Sequence, residues 1–309
     1  MNIDLVSSSA PKIDILLPCY NSSATLYRTI GSIRAQTFRN FRVIMIDNNS
    51  SDNSVDVFEG AGDDRFECRR YSETVPLGVN FNRCLDYATA DYYCIMHADD
   101  EYQSNYLELM YEAMERNPDV TLAFCNAHII DESSKRRISI KNILKKSATS
   151  SGDVKYSGCE GLAWISEYNK IIAPSVMYRR SAISTVGRFN PALKFTLDWE
   201  YYFRTLKARG RLLHVNQVLF NYRIHPRQQT AALIASMEKY YEMHALLDSI
   251  HNYKQKECDC TSQDRYKYFR YTIVVDIFSD VMALKFSCAL HKTRFLVKQL
   301  RSKSEQESY

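Results

Sequence analysis

The chain is short of the features that mark several protein classes. Among 309 residues there are only 9 Gly and 7 Pro, too few for a collagenous or low-complexity chain. Met1 to Ser9 hold neither a basic run nor a long apolar stretch, so no secretory signal is expected. The nearest thing to a membrane span, Tyr271 to Leu290, carries Asp276, Asp280 and Lys285, so no spanning helix is expected either. The 9 cysteines show no repeated Cys-x-x-Cys spacing, and Cys258-Asp-Cys260 has no second ligand pair, which argues against zinc and fits a reducing, cytoplasmic setting. Basic residues exceed acidic ones by only 40 to 36, a formal charge of +4, so nucleic acid is not an expected partner. No internal repeat is evident. Cys19-Tyr-Asn-Ser-Ser-Ala24, after the first apolar run, is not the Gly-rich phosphate loop of a nucleotidyltransferase.

What remains is globular: 45% hydrophobic and 25% charged residues, enough for one large α/β unit or about two domains of roughly 150 residues. Ile13–Leu17, Phe41–Ile46, Tyr92–Met96, Val120–Asn126 and Ala173–Tyr178 are short apolar runs that read as buried strands, with Phe66–Tyr71 an edge strand. Helical spacing predicts a helix from Ser22 or Ser23, others over Asn53–Phe58, Asn80–Ala88, Asn105–Arg116 and Thr196–Arg209, and strand and turn over Arg211–Phe220. Asp131–Lys155 is polar and basic and reads as a mobile loop. From Ala231 the pattern is helical, with Val275, Phe278, Met282, Phe286 and Ala289 expected on one face. A catalytic domain over residues 1–230 and a helical extension over 231–309 follow.

Two strands end in polar, acidic clusters, Asp47-Asn-Asn-Ser-Ser-Asp52 and His97-Ala-Asp-Asp-Glu101. The carboxyl ends of strands are where open α/β sheets bind ligands. Hard oxygen ligands there suit Mg²⁺ or Mn²⁺ and, through the cation, a diphosphate. A lone strand-end Asp is ordinarily a solvated loop residue; the combination points to a site.

Pro18-Cys-Tyr-Asn21, Gln36-Thr-Phe38, Asp47 to Asp52, Ala98-Asp-Asp100 and Leu197-Asp-Trp-Glu200 stand in the order found in glycosyltransferase family 2, which the chain resembles from about Lys12 to Arg227. The resemblance implies a GT-A fold and an inverting transfer of one sugar from a nucleotide-diphosphate sugar, UDP foremost, to an acceptor hydroxyl. It also implies surface polysaccharide or O-antigen-type glycan synthesis on a glycan or lipid-linked acceptor at the inner membrane face. By the same resemblance Pro18, Tyr20 and Asn21 line the nucleoside pocket, although a packed turn before a helix is the alternative. Asp47 and Asn48 match the base-reading pair, with Asn48 in place of the usual acid; its carbonyl still accepts a hydrogen bond, without charge assistance. Gly78, Asn80, Asn82 and Arg83 fall where relatives contact the donor sugar and phosphates. Asp100 matches a metal ligand and Asp99 a ribose or metal ligand, while His97 is a ligand, a diphosphate donor or a strand-end filler.

Asp198 matches the family's catalytic base, with Leu197 replacing the usual preceding Glu and Glu200 as the fallback. Two residues apart on a helix, Asp198 and Glu200 cannot face the acceptor equally. Trp199 is a core or acceptor-wall aromatic. His225 resembles a residue that contacts the diphosphate or metal, and Arg227 is placed to neutralise the leaving group. Between Val281 and Ser304 there is no acid, while Lys285, Lys292, Arg294, Lys298, Arg301 and Lys303 alternate with apolar residues. Such a helix can lie on a membrane surface, pack on its own domain, or join copies in a homo-oligomer. A processive synthase is disfavoured by the missing spans and the missing Gln-x-x-Arg-Trp motif. The rival reading is an inactive sugar-nucleotide-binding or scaffold protein, since His97 and Asn48 stand where acids are common.

Overall fold

A computed structural model describes residues 10–137, 152–225, 237–258, 267–282 and 285–306, apart from some side chains in the last two helices. Among the described residues nine strands form one sheet: β1 Ile13–Cys19, β2 Phe41–Asp47, β3 Phe66–Arg70, β4 Tyr92–Ile95, β5 Glu101–Tyr102, β6 Leu122–Ile130, β7 Val154–Tyr156, β8 Val176–Arg179 and β9 Leu212–Arg223. The order is β3-β2-β1-β4-β8-β6-β9-β5, with β7 on β9. Pairing is parallel from β3 to β4 and between β6 and β9, and antiparallel where β8 meets β4 and β6.

The central strands are apolar because both faces are covered. On one face Ile13, Ile15 and Leu17 meet Leu26, Ile30 and Ile33 of α1 (Ser23–Arg34) and Leu107, Met110 and Met114 of α4 (Tyr106–Arg116). Leu16, Ile44 and Ile46 point the other way, toward a core that holds Phe81 of α3 (Leu77–Leu85) and Trp199 and Tyr202 of α7 (Leu197–Lys207). Asp14 is fully buried within β1, and its charge is matched by Arg42 at 3.0 Å and by the Thr89 and Ala90 amides at 2.7 and 2.8 Å.

Several expected boundaries shift for local reasons. α3 begins at Leu77, not Asn80, because Pro76 supplies a fixed φ of −56° at its cap position. β1 runs through Pro18, since β4 pairs only as far as Leu16 and leaves that side of the strand without a ladder to break. Of the stretch expected to be one loop, residues 138–151 lie outside the described residues. Its flanks are ordered: Asp131 and Lys135 close a turn, and β7 pairs antiparallel with β9. The helices α2 (Ser54–Glu59), α5 (Gly158–Ile165) and α6 (Ala182–Thr185) complete this part, the last two being absent from the expected elements.

The C-terminal segment forms α8 (Glu238–Glu257), α9 (Lys267–Met282) and α10 (Phe286–Gln306). The stripe expected from Val275 to Ala289 is divided between α9 and α10; Ala289 is buried whereas Phe286 is 61% exposed, so the residues do not share one face. Lys292, expected on a solvated basic face, is instead buried and paired with Asp280 at 2.7 Å, and buried Lys239 pairs with Asp276 at 2.7 Å. Met243, Leu246, Leu247 and Ile250 of α8 join the core cluster that contains Trp199.

A disulfide joins Cys159 of α5 to Cys258 at the end of α8, where the cysteine spacing predicts no pairing. The signal was hidden because the two lie 99 residues apart. A non-reducing digest should recover these two peptides cross-linked, and Cys159→Ser should lower stability by about 2–4 kcal/mol in oxidised protein, with no further loss on adding reductant.

Candidate functional site

The carboxyl ends of β1, β2 and β4 open into a crevice. Asn21 takes a left-handed turn (φ 49°) after β1, and its side-chain carbonyl accepts the Ser51 amide at 2.8 Å, joining the two polar loops. α1 then braces the third: Thr25 donates to the Ala98 carbonyl at 3.0 Å, Thr29 to the Asp100 carbonyl at 2.8 Å, and the buried Gln36 amide to the Gln103 carbonyl at 2.7 Å. A cavity of about 490 Å³ results, lined by Pro18, Tyr20, Asn21, Asn48, Asn80, His97, Asp99 and His225 among others.

His97, Asp99 and Asp100 present ligand atoms that lie within 4.8 Å of one another. Asp99 accepts a hydrogen bond from, or shares a proton with, His225 Nε2 at 3.0 Å. Burial acts to raise the Asp99 carboxyl, but the His225 hydrogen bond and the His97 and His225 fields outweigh it and hold its pKa below the ordinary value. Asp100 goes the other way: burial first, then the Asp99 charge, push it well up against the pull of Arg223. Burial lowers His97, which leaves a neutral imidazole at pH 7. Asp100 Oδ2 and His97 Nε2 are buried without a hydrogen-bond partner. Two such atoms beside the Asp99 carboxylate make a hard oxygen and imidazole donor set that fits a divalent cation such as Mn²⁺ or Mg²⁺.

Arg223, at the end of β9, is fully buried and organises this cluster. Its amide donates to Asp100 Oδ1 at 2.8 Å, and its guanidinium donates to the Asp99 carbonyl (2.7 Å), the Asp131 carbonyl (2.6 Å), Ser134 Oγ (3.0 Å) and Glu101. Sequence reading passed over Arg223; its only signal was a position two residues before His225.

A second cavity of about 1120 Å³ adjoins the first, sharing Leu77, Phe81, His97, Glu132, Tyr222 and His225 with it. Asp198 lies in its wall, in the first turn of α7. Burial raises the Asp198 carboxyl, partly offset by a 2.8 Å hydrogen bond from Asn169 Nδ2, another residue the sequence did not single out. Glu200, 200° further round the helix at 100° per residue, turns away to Arg204 at 2.6 Å. Trp199 is core, its indole donating to the Ile165 carbonyl at 3.0 Å. The start of α7 is held by Glu242 of α8, whose carboxylate accepts the amides of Lys194, Phe195 and Thr196 at 2.9 Å each.

Some expected site residues have other partners. Asn48 lines the first cavity, but its amide is spent on the Val75 backbone in both directions (2.9 and 3.0 Å), with Arg83 on the same oxygen at 3.1 Å. Asp47, Gly78, Asn82 and Arg83 line neither cavity. The Asp47 carboxylate accepts the Ser50 amide, Asn82 clamps the Phe189 backbone at 2.9 Å both ways, and Arg83 lies over Tyr71. A Cβ on Gly78 would meet the Pro191 Cα at 2.9 Å, so that glycine serves close packing. Arg227 lies outside the described residues.

Residues 14–185 match the model of Glycosyl transferase family 2. An uncharacterized glycosyltransferase of Rickettsia typhi is 24% identical over 237 residues, covering 75% of this chain and 70% of that protein. The amylovoran biosynthesis glycosyltransferase AmsB of Erwinia amylovora is 32% identical over 107 residues, 33% of this chain and 35% of AmsB. The crystal structure of S. aureus TarS 1-349 in complex with UDP-GlcNAc superposes with a TM-score of 0.61 at 11% identity, over 94% of this chain and 92% of that one. In the longer TarS crystal structure the chain spans 48% of the length. The mannosyltransferase PcManGT from Pyrobaculum calidifontis, in complex with GDP-Man and Mn²⁺, gives 0.61 at 13% identity, over 97% and 81%. The chain shares their GT-A fold.

The buried Arg223 and the half-buried Glu242 each carry a stability prediction. Arg223→Met strands Glu101 and should cost about 3–5 kcal/mol in denaturant unfolding. Glu242→Ala leaves three helix-start amides without their anion and should cost about 1–3 kcal/mol, with Glu242→Gln intermediate.

Proposed function

The chain belongs to glycosyltransferase family 2, and from that premise we propose that it moves one sugar from a nucleoside-diphosphate donor to an acceptor hydroxyl with inversion at the anomeric carbon. The observation that carries this reading is one continuous crevice with the His97, Asp99 and Asp100 cluster in one part and Asp198 in the other, sharing the His97 and His225 wall.

In this reading Pro18, Tyr20 and Asn21 form the wall for the nucleoside, with Tyr20, 42% exposed, free to cover a base or ribose. Asp100, Asp99 and His97 hold the divalent cation, which when bound offsets the charge of the diphosphate. His225 positions Asp99 and faces the leaving group. Asp198 Oδ takes the proton from the acceptor hydroxyl while that oxygen forms its bond to the anomeric carbon and the bond to the diphosphate oxygen breaks on the opposite side. A carboxylate raised by burial is a better proton acceptor than a free one. Asp47, Asn48, Gly78, Asn82 and Arg83 shape the loops that surround this chemistry.

UDP is the first carrier to test and GDP its competitor. Surface polysaccharide synthesis on a glycan or lipid-linked acceptor is the proposed setting, supported by the likeness to the amylovoran biosynthesis glycosyltransferase AmsB. Residues 1–230 form the proposed catalytic domain and 231–309 its proposed helical extension.

Calorimetry with UDP and GDP, with and without Mn²⁺, tests the donor site: nucleotide binding should strengthen with metal, and Asp100→Ala should abolish that gain. Asp198→Asn should keep donor binding while turnover falls by 10³-fold or more, on the order expected for loss of a general base. Nucleotide binding by the wild type with no turnover of any donor sugar would favour the inactive scaffold. As pH falls, Asp198 is protonated at a value above the ordinary carboxylate range, so the acid limb of kcat/KM should sit above about pH 4.

A further inference from the structure

Among the described residues, nothing covers an apolar stripe that runs along α10. Phe286, Leu290, Val297 and Leu300 are 61%, 50%, 41% and 47% exposed, and their spacing of i, i+4, i+11 and i+14 puts them on one side of the helix. The opposite side is the anchored one. Phe295 is buried there, with ring centroids 6.2 Å from Tyr240, 5.1 Å from Tyr241 and 6.2 Å from Phe269, and Lys292 is held by Asp280. At about 100° per residue, Arg294 and Lys298 lie beside the stripe on its solvent flank, and both are exposed. From Phe286 to Lys303 there is no Asp or Glu.

We propose that this face of α10 docks on an anionic lipid bilayer, with the helix in the interfacial plane, the stripe in the acyl boundary and Arg294 and Lys298 against lipid phosphates. Charge decides between this occupant and a second copy of the chain. A two-fold contact through the stripe would set one basic flank against another with no acid between Phe286 and Lys303 to pair with it, Glu305 lying beyond the last residue of the stripe, whereas an anionic surface complements it. The location fits a membrane role as well. Phe295 of α10 packs on Tyr240 and Tyr241 of α8, and one residue beyond, Glu242 holds the segment whose Lys194 and Phe195 line the larger cavity. The docking surface therefore stands one helix away from the crevice. Docking of this face is separate from the transfer reaction and is read by partition rather than turnover.

The full-length protein is co-sedimented with vesicles of phosphatidylcholine alone and of phosphatidylcholine with phosphatidylglycerol, at low and high salt. Binding is expected only to the anionic vesicles and only at low salt. Arg294→Gln with Lys298→Gln should weaken it about thirty-fold, the effect of two charges at about 1 kcal/mol each. Leu290→Ser with Val297→Ser should remove it, with an unchanged thermal midpoint because both side chains are already exposed. Equal binding to both vesicle types, or to neither, overturns the proposal. So does a solution dimer that the Leu290→Ser, Val297→Ser variant dissociates while vesicles bind nothing.

Discussion

A single buried guanidinium, that of Arg223, sets the conditions for everything around it. A charge taken out of water is tolerated only when its donors are satisfied, and Arg223 spends its donors on Asp99, Glu101, Asp131 and Ser134. Three successive acids, Asp99 to Glu101, would otherwise repel one another at the end of β4. The arginine fixes the Asp99 carbonyl and the Glu101 carboxylate, its own amide holds Asp100, and His225, two residues on, reaches Asp99. The cluster is thus gripped by the end of β9 on one side and by Thr25 and Thr29 of α1 on the other. What is left over after this gripping, Asp100 Oδ2 and a His97 ring whose Nε2 makes no hydrogen bond, belongs to a cluster whose ligand atoms lie within 4.8 Å of one another.

The second half of the crevice is built differently. Its carboxylate sits on a helix whose first turn is fixed from outside the sheet, by Glu242, and whose indole at Trp199 is locked to α5. The neutral Asn169 amide steadies Asp198 without supplying a charge that would pull its proton affinity down far. Two acid groups in neighbouring cavities are therefore pushed apart in character: Asp99 is stabilised as an anion by imidazole, and Asp198 is kept more basic by burial.

The sheet and the acid cluster were legible because their signals are local. A run of apolar residues ending in Asp or Asn announces a strand and its carboxyl end within ten residues, and Asp99 and Asp100 are neighbours in the chain. Helical geometry alone says that Asp198 and Glu200 face different ways, and Glu200 pairs with Arg204 while Asp198 lines the larger cavity. Arg223, Asn169 and Glu242 were not legible, since each acts on a partner 29 to 124 residues away and the sheet must close before they meet. Arg83 and Asn82 take partners that the sequence does not reveal. Their types suit a phosphate site, yet helix α3 turns them onto Asn48 and the Phe189 backbone. The tail misled by periodicity, because a regular stripe does not reveal a break between two helices.

The Glu242 contact also bears on how this molecule can vary. The segment that matches the family ends well before α7, and α8 lies later still, yet the helix carrying Asp198 begins where a carboxylate from α8 tells it to. A chimera that replaces everything after residue 230 with an unrelated tail would remove that anchor along with the tail. The two halves are consequently not interchangeable modules: changes in the extension reach the crevice, and lineages that alter one half inherit a constraint on the other.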